Sequence, residues 1–264
     1  MEAFVNDIRL HYVQAGQGIP LLMVHGYPFD HTLWQPQMGV LSDIAQVIAP
    51  DLRGFGKSDA PEGVCTMAAY ADDLAALLDT LKIERAVVCG LSMGGYIALA
   101  VWKKYASRVR GLILVDTRAG ADSPAARQGR LDMVEQVKQH GSKPAADAML
   151  PRLLTEATRQ SRPDLVELAR AMMLRQSPGG IIGAQLGMSE RPDSTPILPT
   201  INVPTLAVFG DQDVITPAET EGRSLAAAIP GAELVIIPNA GHLANLEQPK
   251  VFNAAIRKFW ARAA

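Results

Sequence analysis

The chain has 264 residues, 48% of them hydrophobic and 20% charged, which is the composition of a globular protein with ample material for a core. Its formal net charge of −2, without any basic block, gives no electrostatic reason to expect nucleic acid or an anionic membrane as a partner. Two cysteines are too few for a disulfide framework or a zinc site, the N-terminus lacks the apolar core of a signal peptide, and no apolar run could span a membrane, so we expect a cytoplasmic protein.

The first 116 residues alternate between predicted strands and predicted helices. Two short strands flank a turn at Asn6-Asp7, Thr66 can cap a helix with one apolar face, and a second helical pattern begins at Met93. Buried strands are predicted at residues 20–24, 46–50, 86–89 and 109–116. This alternation predicts an α/β fold with a mostly parallel sheet that helices cover on both sides.

Residues 117–200 break the alternation, because helical segments follow one another there without a buried strand. The segments are predicted at residues 125–140, 144–154, 163–176 and 178–188, with prolines near their first turns. A helical insertion that follows a strand end beside a reactive residue is most simply a lid. We therefore expect a core of residues 1–116 and 201–264, with a helical cap at residues 117–200.

The strand pattern resumes after the predicted cap. Apolar runs at residues 204–209 and 233–237 predict two further buried strands. Between them, Thr216 to Glu219 has the pattern of a capping box and predicts a helix that extends to Ile229. A last amphipathic helix is predicted at residues 249–264.

The turn after the predicted strand at residues 86–89 carries a Gly-x-Ser-x-Gly motif, Gly90 to Gly94, with Ser92 at its centre. A strand that becomes a helix within two residues forces the serine into a strained conformation, which only glycine neighbours accommodate. Ser92 would then stand at the carboxyl edge of the sheet, at the N-terminus of the next helix. A purely structural Gly-rich turn is the alternative, but the strand and helix around it favour a nucleophile.

A serine nucleophile needs a base, and the base needs an acid that orients it. Of the five histidines, His242 alone follows a late strand with a glycine before it, so we predict that it is the base. Asp213 and Asp211 both follow the predicted strand at residues 204–209. We favour Asp213 as the acid. Asp211 is the alternative acid, but it could instead stabilise the turn or cap a helix.

The other four histidines have structural interpretations. His11 and His140 are expected at the surface, and His31 is expected early in a helix. His25 precedes a turn, where hydrogen bonds from its ring to the neighbouring loops are the favoured role.

An acyl-transfer intermediate also needs two hydrogen-bond donors for its developing oxyanion. Met93 follows the nucleophile and offers a backbone N–H at the N-terminus of a helix. The second N–H is expected from Tyr27, in the loop after the strand at residues 20–24. Only the amide of Tyr27 is needed for this role, and we expect its ring to line the entrance.

Five motifs in this order resemble the α/β-hydrolase superfamily: His25-Gly26-Tyr27-Pro28, Asp51 to Asp59, Gly90 to Gly95, Gly210 to Asp213, and Gly241-His242. The resemblance covers essentially the whole chain except the predicted lid. It implies a mostly parallel eight-stranded sheet with helices on both faces and an inserted helical lid. It also implies the triad order Ser92, Asp213, His242, a structural role for Asp51 and Arg53, and no metal or organic cofactor.

Within the superfamily, haloalkane dehalogenases and epoxide hydrolases are similar in the His-Gly-x-Pro loop, but they use an aspartate where this chain has Ser92. Epoxide hydrolases also use tyrosines of the lid, and all five tyrosines of this chain precede residue 117. The chain instead resembles carboxylesterases, enol-lactonases and cofactor-free perhydrolases. That resemblance implies hydrolysis of a small-molecule carboxylic ester through an acyl-enzyme. Alternatives on the same triad are enol-lactone hydrolysis, C–C bond hydrolysis or perhydrolysis, and a ligand-binding protein with little turnover is the alternative of another class.

The predicted lid supplies a clue to the substrate. No aromatic residue other than histidine occurs from residue 106 to residue 208, whereas five methionines do: Met133, Met149, Met172, Met173 and Met188. Although such methionines more often pack a core, the composition predicts an aliphatic and mostly uncharged lid surface, and small to medium uncharged esters as substrates. An anionic lactone would instead need an arginine in the pocket, for which Arg118, Arg127 and Arg175 are the candidates.

Overall fold

The computed structural model describes residues 1–263. Eight strands of this chain form one sheet. The strands are β1 (Glu2–Val5), β2 (Ile8–Ala15), β3 (Pro20–Val24), β4 (Gln46–Pro50), β5 (Ala86–Leu91), β6 (Val109–Val115), β7 (Thr205–Gly210) and β8 (Glu233–Ile237). They lie in the order β1-β2-β4-β3-β5-β6-β7-β8. β2 is antiparallel to β1 and β4, and all other neighbours are parallel. The predicted α/β fold with a mostly parallel sheet is confirmed.

Helices cover both faces of this sheet. They are α1 (Gln35–Leu41), α2 (Met67–Thr80), α3 (Met93–Tyr105), α4 (Pro124–His140), α5 (Lys143–Leu153), α6 (Glu156–Ser161), α7 (Pro163–Leu174), α8 (Pro178–Ser189), α9 (Arg223–Ala228), α10 (Ala244–Glu247) and α11 (Pro249–Ala263). Within residues 1–263, no helix has both the length and the apolar character that crossing a bilayer requires.

Two apolar cores form because successive side chains of a strand point to opposite faces of the sheet. In β3, Leu22 and Val24 join the core on the side of α2 and α3, whereas Leu21 and Met23 join the core on the side of α1 and α11. All four are fully buried, and each such side chain contributes about 1.5–3 kcal/mol to folding. Burial on both faces explains why the central strands have continuous apolar sequences.

Helices α4 to α8 lie between β6 and β7 in the chain, and we call them the helical insertion. Four of these helices match the predicted segments, but the short helix α6 was not predicted. Its sequence, Glu-Ala-Thr-Arg-Gln-Ser, has no apolar stripe that could reveal a helical period. α6 begins instead at a cap, where Thr155 Oγ1 accepts from Thr158 N at 3.1 Å.

Helix α8 contacts the core through its backbone. A Cβ atom placed on Gly180 would lie 1.8 Å from Gly54 O, and one placed on Gly187 would lie 1.8 Å from Cys65 O. Between these two contacts, Cys65 N donates to Gly183 O at 3.0 Å. The glycines of α8 are therefore required by the close approach of two main chains.

An ion pair joins the end of α7 to the loop after β3. Arg175 donates to both carboxylate oxygens of Asp30, at 2.7 and 2.8 Å, and Gln176 Nε2 donates to Asp30 Oδ2 at 2.9 Å. Burial alone would raise the pKa of Asp30, but the hydrogen bonds from Arg175, Thr32 and Gln176 hold it below its ordinary value. Gln176 Oε1 also accepts from Gly56 N at 2.8 Å, so this segment of the insertion is tied to two core loops.

Of the turns and helix caps predicted from the sequence, two are confirmed and one is wrong. The turn at Asn6-Asp7 is confirmed, with φ values of 45° and 63°, and Thr66 Oγ1 caps α2 by accepting from Ala69 N at 3.0 Å. The capping box predicted at Thr216 is wrong. Its hydroxyl donates to Asp213 Oδ2 at 2.5 Å, and the chain continues through a π-helical turn at Ala218–Gly222 before α9 begins.

Candidate active site

Ser92 lies on a sharp turn between β5 and α3, with φ of 54° and ψ of −113°. A positive φ in a residue other than glycine costs about 1–3 kcal/mol, which the surrounding structure must offset. Ser92 N donates to Val115 O at 2.9 Å, and Thr117 Oγ1 donates to Ser92 O at 2.8 Å. A Cβ atom on Gly94 would lie 2.2 Å from Val24 O, so no larger residue fits there. The predicted strained serine is present.

The loop after β3 packs against this turn. A Cβ atom on Gly26 would lie 2.9 Å from Leu91 Cδ2 and 3.4 Å from Ser92 Cβ, so Tyr27 follows a residue in direct contact with the serine turn. Within residues 1–263, neither Tyr27 N nor Met93 N donates a hydrogen bond, and both residues are buried. Two unused N–H groups thus lie beside Ser92.

His25 holds the same loop in place. Its Nε2 accepts from Leu52 N at 3.0 Å, which leaves the ring proton on Nδ1, and Nδ1 donates to Gly26 O at 2.9 Å. Burial is the main reason why the pKa of His25 lies below its ordinary value, so the ring is neutral. The predicted structural role of His25 agrees with these bonds.

Asp213 and His242 form a buried pair in which His242 Nδ1 lies 2.8 Å from Asp213 Oδ2. The carboxylate also accepts from Ile215 N at 2.7 Å, from Thr216 N at 3.1 Å and from Thr216 Oγ1 at 2.5 Å. Burial alone would raise its pKa, but the charge and hydrogen bond of His242 together with the other donors lower the pKa of Asp213 to about 2. Asp213 is therefore ionised and fixes the proton of the imidazole on Nδ1.

The second ring nitrogen of His242, Nε2, has no hydrogen-bond partner among the described residues. Nε2 is buried, and neither Ser92 Oγ nor any other atom of residues 1–263 forms a hydrogen bond with it. A buried acceptor without a hydrogen-bond partner lowers the stability of the fold by about 1–3 kcal/mol. Such an atom therefore calls for an explanation, and a catalytic role is one. The loop that carries His242 also folds back over the end of β7, since a Cβ atom on Gly210 would lie 2.2 Å from Gly241 O.

Asp211, the alternative acid, has a different position. It is exposed, and its Oδ1 accepts from Ala240 N at 3.1 Å. It therefore shapes the turn that precedes His242 but makes no contact with the imidazole in the part of the chain that is described.

Asp116, at the end of β6, is a buried carboxyl group that the sequence did not single out. Its Oδ1 accepts from Gly210 N at 2.8 Å, and Oδ2 is buried without a partner among residues 1–263. Burial and the nearby charge of Asp213 raise the pKa of Asp116 well above its ordinary value. Its place directly after a buried strand, next to the strand that precedes Asp213, is the signal that could have identified it.

Ser92 lines a pocket of about 400 Å³ between the strand ends and the helical insertion. The lining residues are Tyr27, Ser92, Tyr96, Arg118, Asp122, Ala126, Gly129, Arg130, Met133, Ala148, Met149, Arg152, Gln185, Met188 and Ile215. Tyr27 lines the pocket as predicted. Met133, Met149 and Met188 line it as well, whereas Met172 and Met173 pack in the core.

Seven of the nine lining residues that α4, α5 and α8 supply are uncharged, as expected of the lid surface, but the other two are arginines. Arg130 and Arg152 belong to the insertion and line the pocket, and Arg118 lines it from the core side. Of the arginines considered from the sequence, Arg127 is exposed outside this lining, and Arg175 pairs with Asp30.

Helical phase is the signal that could have identified Arg130. The lining positions of α4 are Ala126, Gly129, Arg130 and Met133, which follow the i, i+3, i+4, i+7 spacing of one helix face. Arg127 lies outside that face.

A histidine cluster away from this pocket is the only group within residues 1–263 whose side chains are placed to hold a metal ion. His11 Nδ1 lies 3.0 Å from Asp51 Oδ2, and His31 Nδ1 lies 2.6 Å from Asp51 Oδ1. His31 N and Lys57 N also donate to Asp51, so protein donors already surround this carboxylate. This agrees with the structural role expected of Asp51. The prediction that His11 is a surface residue is wrong, because it is buried beside Asp51.

Comparison with known proteins agrees with this geometry. A family model described as the alpha/beta hydrolase fold matches residues 19–249. The 3-oxoadipate enol-lactonase 2 of Acinetobacter baylyi is 30% identical over 259 residues, which cover 97% of this chain and 95% of that protein.

Two solved structures extend the likeness to three dimensions. A thermophilic esterase from Thermogutta terrifontis matches with a TM-score of 0.97 and 44% identity, covering 100% of this chain and 98% of that one. The enol-lactonase from Burkholderia xenovorans LB400 matches with a TM-score of 0.92 and 31% identity, covering 99% of this chain and 100% of that one. The resemblance to the esterase and enol-lactonase branch is confirmed, and the chain is a hydrolase that belongs to the alpha/beta hydrolase fold family.

Proposed function

We propose that this hydrolase cleaves carboxylic esters through an acyl-enzyme on Ser92, with His242 as general base and Asp213 as the acid that orients it. The observation that carries the proposal is the state of His242, whose Nδ1 is held 2.8 Å from an ionised Asp213 while its Nε2 is buried and has no partner among residues 1–263. An imidazole prepared in this way can accept a proton only at Nε2.

In the proposed reaction, Ser92 Oγ attacks the ester carbonyl carbon while His242 Nε2 takes the hydroxyl proton. The carbonyl oxygen becomes an oxyanion, which accepts from Tyr27 N and Met93 N, the two unused amides beside the serine. The C–O bond to the alcohol breaks as His242 returns the proton to the departing oxygen. Water then attacks the acyl-enzyme by the same route and releases the carboxylic acid.

For proton transfer, Ser92 Oγ must come within hydrogen-bond distance of His242 Nε2, to which it is not bonded here. Hydrogen bonds of this kind are often long or absent in unliganded enzymes and tighten when substrate binds. We further propose that the helical insertion acts as a lid, since α4, α5 and α8 supply nine of the residues that line the pocket. Exclusion of water beneath such a lid would strengthen the oxyanion contacts.

Enol-lactone hydrolysis is the second candidate function. Two observations favour it: the likeness to two enol-lactonases over nearly the whole chain, and the arginines in the pocket lining. The chemistry at Ser92 would be the same, but the leaving oxygen would stay tethered to the acyl group. Turnover of an enol-lactone at least tenfold faster than that of an open ester of equal size would favour this candidate.

A fluorophosphonate probe and p-nitrophenyl acetate test the proposal directly. We expect covalent labelling at Ser92, a burst of p-nitrophenol equal to the enzyme concentration, and the loss of both in Ser92→Ala. Ser107→Ala, which changes an exposed serine on the turn after α3, is the matched control and should retain both signals. A wild-type protein that neither reacts with the probe nor releases p-nitrophenol would instead support a ligand-binding role.

A further inference from the structure

We propose that Glu247 is a positioning residue for the general base. Its carboxyl group holds the backbone beside His242 to the junction between α5 and α6, so that the helical insertion determines where the imidazole lies. This inference deepens the proposed function and rests on it, because His242 is the base of the same reaction. Within residues 1–263, Glu247 forms no hydrogen bond with the imidazole itself, so it acts through the main chain.

Glu247 joins two segments that are far apart in the chain. It is only 8% exposed and is the last residue of α10. Its Oε2 accepts from Gly241 N at 2.6 Å, and its Oε1 accepts from Thr155 N at 2.9 Å. Gly241 precedes His242 in the loop between β8 and α10, residues 238–243, which we call the base loop, whereas Thr155 lies between α5 and α6 of the insertion. A buried side chain that is bonded to both segments fixes their separation.

A second hydrogen bond ties the other side of His242 to the same junction. Leu243 N donates to Leu153 O at 3.1 Å. Leu153 is the last residue of α5, where carbonyl groups have no partner within the helix, and Thr155 directly precedes α6, where amide groups have none either. The free backbone groups of two helix ends therefore serve the residues that flank His242.

Close packing leaves the base loop little room to move by itself. A Cβ atom on Gly241 would lie 3.1 Å from Glu247 Oε2, 3.1 Å from Leu153 O and 3.2 Å from Thr155 N. The end of β7 limits the loop as well, since a Cβ atom on Gly210 would lie 2.2 Å from Gly241 O. Because the loop is packed against both segments, a displacement of the α5–α6 junction is passed to the base loop.

The imidazole needs this support because its polar contacts fix only one end of the ring. Asp213 Oδ2 lies 2.8 Å from Nδ1, and Thr216 Oγ1 lies 3.4 Å from it. Nε2, which must receive the proton of Ser92, has no partner among residues 1–263, so its direction depends on where the backbone holds His242. An error of about 1 Å in the position of a reacting group lowers a rate by as much as roughly 10²-fold. A carboxyl group that only stabilised the fold would leave the reaction rate of the folded molecules unchanged when it was removed.

The first test is Glu247→Gln, followed by the burst of p-nitrophenol from p-nitrophenyl acetate. An amide of the same shape has one acceptor oxygen, so it cannot serve both N–H groups. We expect the limiting burst rate to fall by roughly 10- to 100-fold, while the ester concentration that gives half of that rate changes by less than about twofold. Glu156→Gln, the same change at an exposed position on α6, is the matched control and should leave both values unchanged. Unfolding by urea checks that each variant is folded under the conditions of the assay.

The second test removes the donor on the side of the insertion. Thr155 has φ of −60°, and Leu154 is extended with φ of −119° and ψ of 151°, so the backbone accepts a proline at position 155. Thr155→Pro removes the N–H that Glu247 Oε1 accepts and changes no side chain of the base loop. Thr155→Ala loses the same hydroxyl cap of α6 but keeps the N–H, so the loss of burst rate in Thr155→Pro should be at least about fivefold larger. Equal losses would show that the cap, and not the link to Glu247, matters to the base.

Proton NMR of the imidazole separates this inference from the esterase proposal, because it needs no turnover. His242 Nδ1 lies 2.8 Å from Asp213 Oδ2, and its proton should give a far-downfield signal that is absent from His242→Gln. We expect this signal to shift or broaden in Glu247→Gln and Thr155→Pro and to stay in place in Glu156→Gln. If the wild type shows no burst while the signal follows Glu247, the positioning role stands and the esterase proposal falls. If the wild type shows the burst, and both burst and signal are the same in Glu247→Gln, the positioning role is refuted and the esterase proposal stands.

Discussion

The ends of β6 and β7 carry the same kind of residue in opposite states. Asp116 and Asp213 both follow a buried parallel strand, and both side chains are buried. The carboxylate of Asp213 accepts hydrogen bonds from two backbone amides, one hydroxyl and one imidazole, whereas the carboxyl group of Asp116 accepts one hydrogen bond, from the backbone amide of Gly210. The pKa of Asp213 is lowered to about 2, and the pKa of Asp116 is raised well above its ordinary value.

The difference teaches that a sufficient supply of hydrogen-bond donors outweighs the effect of burial on the pKa of a carboxyl group. Burial raises the pKa of both groups, and each hydrogen bond to the charged form lowers it again. The two groups are also coupled, because the negative charge of Asp213 is one cause of the raised pKa of Asp116. Asp213, with its lowered pKa, is the acid that lies against His242.

The largest expected effect comes from removing the charge at the end of β7. Asp213→Asn should lower kcat for p-nitrophenyl acetate by roughly 10³- to 10⁴-fold, because an amide does not hold the imidazole in the required tautomer or stabilise its charged form. Asp211→Asn is the matched control and should cost less than about threefold, since Asp211 bonds only to Ala240 N. A larger loss in Asp211→Asn than in Asp213→Asn would identify Asp211 as the acid.

A smaller effect is expected from removing one donor to Asp213. Thr216→Val keeps the backbone N–H and the side-chain shape but removes the hydroxyl that lies 2.5 Å from Asp213 Oδ2. Unfolding by urea should show a loss of about 1.5–3 kcal/mol, the usual value for a hydrogen bond to a charged group. Thr220→Val changes an exposed threonine in the next turn and should cost less than about 0.5 kcal/mol. Equal losses in the two variants would contradict the role assigned to this hydroxyl.

The pH dependence of stability tests the charge of Asp213 directly. Its pKa is about 2 in the folded protein against an ordinary value of 3.8, a difference that corresponds to about 2 kcal/mol. Because the folded-state pKa is the lower one, this contribution is present above pH 4 and is lost as the pH falls through about 2. The free energies of unfolding of the wild type and Asp213→Asn should therefore converge by about 2 kcal/mol between pH 5 and pH 2. A difference that stays constant over that range would contradict an ionised Asp213.

The smallest effect is expected at the end of β6. Asp116→Asn replaces the carboxyl group by an amide of the same shape, which is always neutral and whose oxygen can still accept from Gly210 N. Below pH 4, where the carboxyl group is protonated in the folded protein, stability should change by less than about 1 kcal/mol, and kcat/KM at pH 7 should change by less than about threefold. The variant should become the more stable protein as the pH rises above 3.8, because the unfolded wild type then loses the proton of Asp116 while the folded wild type keeps it, up to its raised pKa. A loss of activity like that of Asp213→Asn would show that Asp116 is needed in its charged form.

Much of the strand-end region was predictable because short motifs encode it. The positions of Ser92, Asp213 and His242 follow from a strand ending within a few residues of each, and their proposed roles await the experiments above. The choice of Asp213 over Asp211 agrees with the observed contact to His242. The states of Asp116 and Asp213 were not predictable, because they depend on donors from several separate segments.

The pocket wall was harder to predict for a geometric reason. Whether Arg127 or Arg130 faces the pocket depends on the rotation of α4 about its axis, which the packing of the whole insertion decides. His11 was placed wrongly because it pairs with Asp51, forty residues further along the chain. Thr216 was placed wrongly because a buried carboxylate competes with a helix N-terminus for the same hydroxyl.

The glycine contacts of α8 divide the pocket into a fixed wall and an adaptable one. Gln185 and Met188 stand on a helix whose main chain touches the core at Gly54 and Cys65, where even one added methyl group would push the helix away. On α4, by contrast, a Cβ atom at the lining position Gly129 would meet nothing within 4 Å. A search for variants with altered substrate range should therefore include Gly129 and leave Gly180 and Gly187 untouched.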